Sequence, residues 1–221
     1  MTARPSCLIV CSASVEGVSA QSFIHSYTLT SSAFAVHIAT PEGKPIHFVK
    51  QDDNSRRWLN EFNAKATSQP LILEGVEANR YAALLVPSSP GAVHDLARSQ
   101  HLGWVINSFM SEKKCLCAVG SGVAAFCSPA NQPSSDGSWC FQGYCMTGPS
   151  VNELVRLPDF AEVPIIAEDF IKDHGGVYSA SLPDCVHVSI DRNVVTGQND
   201  SSTLCAVQNL ILLSNSKQKS R

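Results

Sequence analysis

No stretch of this 221-residue sequence approaches the roughly 18 consecutive apolar residues of a membrane-spanning helix, so any membrane association is expected to go through a partner. No secretory leader is expected either. The apolar part of MTARPSCLIVCSAS is only CLIVC, too short for a signal-peptide core and better suited to a first buried strand. Thr2 stands where myristoylation needs glycine, and no prenylation motif closes the chain. Positive charge is not in excess: 16 Lys and Arg against 19 Asp and Glu give a formal net charge of −3, which leaves no overall footprint for nucleic acid. The nine cysteines lack the doubled, closely paired spacing of zinc sites, so no metal and no cofactor are expected. Most lie inside apolar runs: Cys7 and Cys11 flank LIV, Cys115 and Cys117 flank Leu116, and Cys205 sits in TLCAV. A free cysteine there behaves as a small buried hydrophobe, as expected of reduced thiols in a cytoplasmic setting.

What is present is the composition of a folded globular chain, 44% hydrophobic and 16% charged, long enough to bury one sizeable core. Short apolar runs alternate with helical patterns, the signature of an α/β domain with a mainly parallel sheet and helices on both faces. The strand candidates are 7–11, 35–40, 81–87 and 114–119, with 186–190 and 193–197 forming two strands joined by Asp191-Arg192. Around Gly143, SWCFQGYCMT (138–147) reads as a small antiparallel hairpin. Helices are expected near 55–67, capped by Asn54 or Ser55, over 102–110, after Pro164, and over 199–213 with Leu204, Val207 and Ile211 on its apolar face. SPANQPSSDGS (128–138) reads as a surface connection. One domain is expected over 1–214, followed by a flexible basic tail over 215–221.

CAVGSG, residues 117–122, raises the functional question. A strand ending in a small-residue turn that opens a helix is how α/β hydrolases and amidotransferases mount a nucleophile, but here the apex is Gly120. Such an apex forces a strained conformation that glycine adopts freely, so Gly120 keeps the shape without the reactive atom. Ser121 as a substitute nucleophile would want small residues at 119 and 123, and both are valine. Cys117, Cys127 and Cys115 belong to apolar surroundings, with no cation beside them except Lys113 and Lys114 at the strand's far end. Among the histidines only His94 lies near a strand tip, where it reads as a solvated loop residue.

Five segments, SSPGAVHDL, KCLCAVGSGVAAF, WCFQGYCMTG, VPIIAEDFIKDHGG and VHVSIDRNVVTGQNDSST, together with the ATPEGKP turn, resemble the ThiJ/PfpI superfamily, which is related to class I glutamine amidotransferase domains. The resemblance covers nearly the whole chain and implies a three-layer, flavodoxin-like fold. In the chaperone and glyoxalase branch the elbow reads Cys-His-Gly. The resemblance puts Gly120 at the cysteine position and Ser121 at the histidine position, and retains Gly122. The Gly-Gly of the oxyanion-forming strand tip becomes Ser88-Ser89, while Gly91 and Asp95 keep their places. Glu16 lies close to the position of the family's acid, and the best-matching register puts Ser19 there. The implied function is that of a pseudoenzyme: a non-catalytic scaffold subunit, homo-oligomeric as the superfamily commonly is. Trp58, Trp104 and Trp139 are candidate anchors for partners. Resemblance to one vertebrate branch further implies an early-endosomal Rab-effector assembly that transports mRNA, with RNA reached only indirectly. The alternative is a small-molecule enzyme of glyoxalase, deglycase or amidase type whose nucleophile has moved to Cys117, Ser121 or Cys127.

Overall fold

Alternation along the first apolar run sends Leu8 and Val10 to one face of a sheet and Cys7, Ile9 and Cys11 to the other, and all five are fully buried. Burial on both faces is why the strands read as continuous apolar runs rather than alternating ones. A computed structural model describes residues 4–131 and 138–219 of the chain. Its strands are β1 (Ser6–Val10), β2 (Val18–Ser19), β3 (Ala35–Thr40), β4 (Phe48–Val49), β5 (Leu71–Ile72), β6 (Ala83–Val86), β7 (Cys115–Val119), β8 (Cys145–Met146), β9 (Val177–Tyr178), β10 (Val188–Asp191) and β11 (Val194–Gly197). The main sheet has seven strands in the order β10-β11-β7-β6-β1-β3-β5. It is parallel throughout except for the β10–β11 hairpin at one edge.

Helices cover both faces. On one, α3 (Gln100–Ser111) contributes Leu102, Val105, Ile106 and Phe109, and α5 (Ala167–Asp173) contributes Ile171. On the other, α1 (Ala20–Ala33) supplies Phe23, α2 (Asp53–Asn63) supplies Leu59 and Phe62, and α6 (Thr203–Lys219) supplies Ala206, Val207 and Leu210. A one-turn helix, α4 (Val151–Leu154), is closed by a capping box between Ser150 and Glu153. The expected layers are therefore present, and the two strands expected at 186–190 and 193–197 appear as β10 and β11, paired antiparallel.

Several local expectations change. Residues 138–147 form no antiparallel hairpin: Trp139–Tyr144 make a turn, and β8 pairs in parallel with β9, far along the chain. The local alternation around Gly143 could not announce a partner contributed from residue 177. Helix α2 starts earlier than expected, because Asp52 caps it by accepting from the Ser55 N–H, while Ser55 returns the bond to the Asp52 N–H. On α6 the apolar face runs through Ala206, Val207 and Leu210, leaving Leu204 and Cys205 exposed. That helix continues to Lys219, so 215–219 extend it where a flexible tail was expected; residues 220–221 lie outside the described part. Of the surface connection at 128–138, residues 132–137 also lie outside it, and the chain after Gly120 winds as a 3₁₀ helix to Asn131. Trp139 is buried and Trp104 is 55% exposed, while Trp58 packs against α1 through Phe23 and Tyr27.

Candidate functional site

Parallel strands that all run the same way bring the segments after β1, β6 and β7 to one end of the sheet. Gly120 follows β7 directly and takes φ +51, the left-handed conformation of an elbow apex. A Cβ placed on it would lie 2.4 Å from Ser88 Oγ, 3.0 Å from Ser88 Cβ and 3.5 Å from Asp200 Oδ1. The space that the apex side chain would need is thus filled by the serine hydroxyl after β6. Gly122 is fixed by close approach instead: a Cβ there would meet the Pro87 carbonyl oxygen at 2.3 Å. Elbow and strand tip are therefore packed backbone against backbone, and the elbow shape is kept with glycine at its apex.

The strand tip is closed by its own bonds. Ser88 N–H donates to Ser22 Oγ (2.9 Å), Ser89 Oγ donates to the Pro87 carbonyl (2.9 Å), and Gly91 N–H donates to the Gly17 carbonyl (3.0 Å). Both serines are buried. Ser19 joins them from β2, its N–H donating to the Ser88 carbonyl (2.9 Å) and its hydroxyl to Asp200 Oδ2 (2.8 Å). Lys50 Nζ reaches the same carboxylate oxygen at 3.3 Å. The polar run NDSST (199–203) leads into α6. Asn199 does cap, accepting from Ser202 N–H, but Asp200 also turns toward the elbow. Only a pairing across 181 residues could have shown this.

Glu16 belongs to a different group of contacts, on the loop after β1. Ser12 Oγ (2.9 Å), Ala13 N–H (2.8 Å) and Ser14 N–H (3.2 Å) all donate to Asp95 Oδ2, which clamps the loop after β1 onto the loop after β6. Asp95 also caps its own turn through Leu96 N–H. The clamped loop presents Glu16, whose carboxyl is held below the usual range by the Ser14 hydroxyl, then by its own backbone, with His94 a smaller contributor. His94 Nε2 lies 4.0 Å from Glu16 Oε1, and both side chains remain about 40% exposed, so the histidine stays at the solvated surface beside the carboxylate. Glu16, His94 and Ser121 line one cavity of about 90 Å³, whose remaining wall is largely apolar. The site residues thus divide: Ser19, Ser88 and Gly120 share the Asp200 side, and Glu16 and Ser121 share the cavity.

The two candidate thiols near the elbow are both buried. Cys117 is fully buried in β7 and burial drives its pKa up; Cys127 is buried and pushed up to about 12. A thiol raised this far carries almost no thiolate near neutrality. Among the described residues no group of three metal-ligating side chains converges.

No protein-family profile matches the chain. It is 53% identical over 214 residues to the glutamine amidotransferase-like class 1 domain-containing protein 1 of Xenopus laevis, covering 97% of this chain and 92% of that one. Two solved structures share the fold at low identity. One is the 24 kDa Rapid Encystment Protein of Francisella tularensis (TM-score 0.84, 21% identity, 95% of this chain and 99% of that one). The other is glyoxalase III of Candida albicans (TM-score 0.83, 15% identity, 95% and 97%). The chain therefore belongs to the glutamine amidotransferase-like class 1 domain-containing protein 1 family, on a ThiJ/PfpI-type fold.

Proposed function

We propose that the protein is a non-catalytic interaction subunit built on an enzyme fold. The observation that carries this reading is the filled apex: Gly120 holds the elbow conformation while Ser88 Oγ occupies the place of the side chain. Two backbone donors of the adjoining tip, Ser88 N–H and Gly91 N–H, are already bonded within the protein, which argues against a preorganised oxyanion hole there. Losing a covalent nucleophile removes most of the rate in such chemistry. By the resemblance, the setting is cytoplasmic, at the early endosome through partners, as a homo-oligomeric member of a Rab-effector assembly that carries mRNA. A net charge of −3 is compatible with RNA being reached through other subunits, and no helix among the described residues is long and apolar enough to cross a membrane.

Methylglyoxal turnover by the native protein tests this reading, with the triple variant Gly120→Cys, Ser121→His, Ser88→Gly alongside. Native turnover at background supports it; robust native turnover at a level equal to the variant's overturns it. A second reading has one observation in its favour, because Ser121 shares its cavity with the Glu16–His94 pair. Fluorophosphonate labelling separates the two: covalent adduct on Ser121 would establish a relocated serine nucleophile.

A further inference from the structure

Two concave features stand at opposite ends of the sheet. At the end where the strands begin, a groove of about 260 Å³ is lined by Arg80, Lys113, Lys114 and Lys217. Its lysines serve the fold: Lys114 Nζ donates to the Ala78 carbonyl (3.0 Å) and Lys217 Nζ to the Lys113 carbonyl. Those carbonyls include the exposed end of α3, where cations complement the helix dipole.

The cavity beside the elbow has no such internal duty. Its interior is apolar, walled by Ala124, Leu154, Ile165 and Ala167, with Ala124 and Ala167 buried in the core. At about 90 Å³ it has room for one aliphatic side chain. The rim differs in character. Glu16 and Asp159 put two carboxylates at the mouth, with His94 between the loops. Apolar lining reaches the surface at Leu157, which is 46% exposed. Single exposed apolar residues are ordinary. An open apolar socket with carboxylates in its lining is an arrangement that can anchor a chain segment by one inserted residue. Acidic lips also select the charge of what flanks that residue.

From this arrangement we infer that the pocket seats one leucine, isoleucine or methionine of a partner protein, in a segment carrying lysine or arginine on both sides. The inference rests on the interaction-subunit reading and names the chemistry of the partner. The pocket left over a relaxed elbow becomes the anchor point, with Leu157 extending the contact and Glu16 and Asp159 fixing its polarity.

The test is fluorescence anisotropy of the full chain with a fluorescein-labelled peptide, Gly-Lys-Arg-Leu-Lys-Arg-Gly, at physiological salt. Saturable binding is expected, weakened about tenfold or more when the peptide leucine becomes aspartate. Leu157→Asp and Glu16→Lys, both at exposed positions, should each weaken binding by a similar factor. Equal binding of the aspartate peptide, indifference to Leu157→Asp, or no binding overturns the inference. So does 3-methylbutylamine binding where no peptide does, because the pocket is then a small-molecule site. Methylglyoxal turnover measured on the same preparation reads the non-catalytic assignment separately: failed peptide binding without turnover removes only the pocket inference.

Discussion

Replacing Gly120 with cysteine restores the family's apex atom, and the structure says what that costs. The new Cβ would stand 2.4 Å from Ser88 Oγ and 3.0 Å from Ser88 Cβ, both closer than packed atoms tolerate. Cysteine at φ +51 adds about 1–2 kcal/mol of left-handed strain. Forcing Ser88 aside in a buried site adds about 1–3 kcal/mol. Gly120→Cys is thus expected to destabilise by about 2–5 kcal/mol, or very roughly 5–15 °C in Tm for a chain of this size. Ser88→Gly alone should cost about 1 kcal/mol, through backbone entropy and a small void. In the double variant the clash vanishes while the strain remains. The pair should therefore be about 1–3 kcal/mol more stable than the two single effects predict by addition. Urea unfolding of the four proteins measures this coupling. Additivity within about 0.5 kcal/mol would refute the reasoning, because Ser88 would then not be what fills the apex. The double variant is still expected to stay inert, since the Asp200 carboxylate beside the new thiol disfavours its thiolate and no imidazole replaces Ser121.

Other outcomes follow from the same geometry. Ellman's reagent on the native protein should titrate the exposed Cys185 and Cys205 quickly, with Cys7, Cys11, Cys115, Cys117 and Cys127 reacting only on unfolding; fast modification of Cys117 or Cys127 would revive the relocated-thiol enzyme. Gly122→Ala should cost about 2–4 kcal/mol in urea melts, because its Cβ meets the rigid Pro87 carbonyl at 2.3 Å; a change under 0.5 kcal/mol would contradict that packing. Asp191 is held below the ordinary carboxylate range, first by the Arg192 hydrogen bond and also by the Cys145 N–H that donates to it at 2.8 Å. A depressed folded pKa adds stability above the unfolded value near 3.9 that is lost as pH falls through the folded one. Asp191→Asn should therefore destabilise by about 1–2 kcal/mol at neutral pH and by progressively less below pH ~4, and a pH-independent difference would count against this account.

The α/β architecture was legible because it is written in short-range periodicity. Runs such as CLIVC and KCLCAV bury both faces of a strand, and the i, i+3, i+4 spacing in α3 buries Leu102, Val105, Ile106 and Phe109. The empty apex was legible too, since a turn between strand and helix announces its central residue. Where local pattern misled, a distant partner had decided. β8 took up β9 instead of folding back on its own turn, and α6 rotated Leu204 outward because Ala206, Val207 and Leu210 met the sheet.

The sequence by itself determined that this chain forms a doubly wound domain whose strand-to-helix elbow carries glycine, because both are set by residues within a few positions of one another. Only the tertiary structure decided that Ser88 fills the vacated space, that Asp200 closes over Ser19, and that Glu16, His94 and Ser121 meet at one cavity. Those are contacts between loops brought together by parallel strands, and their distances depend on sheet order, which no local pattern encodes.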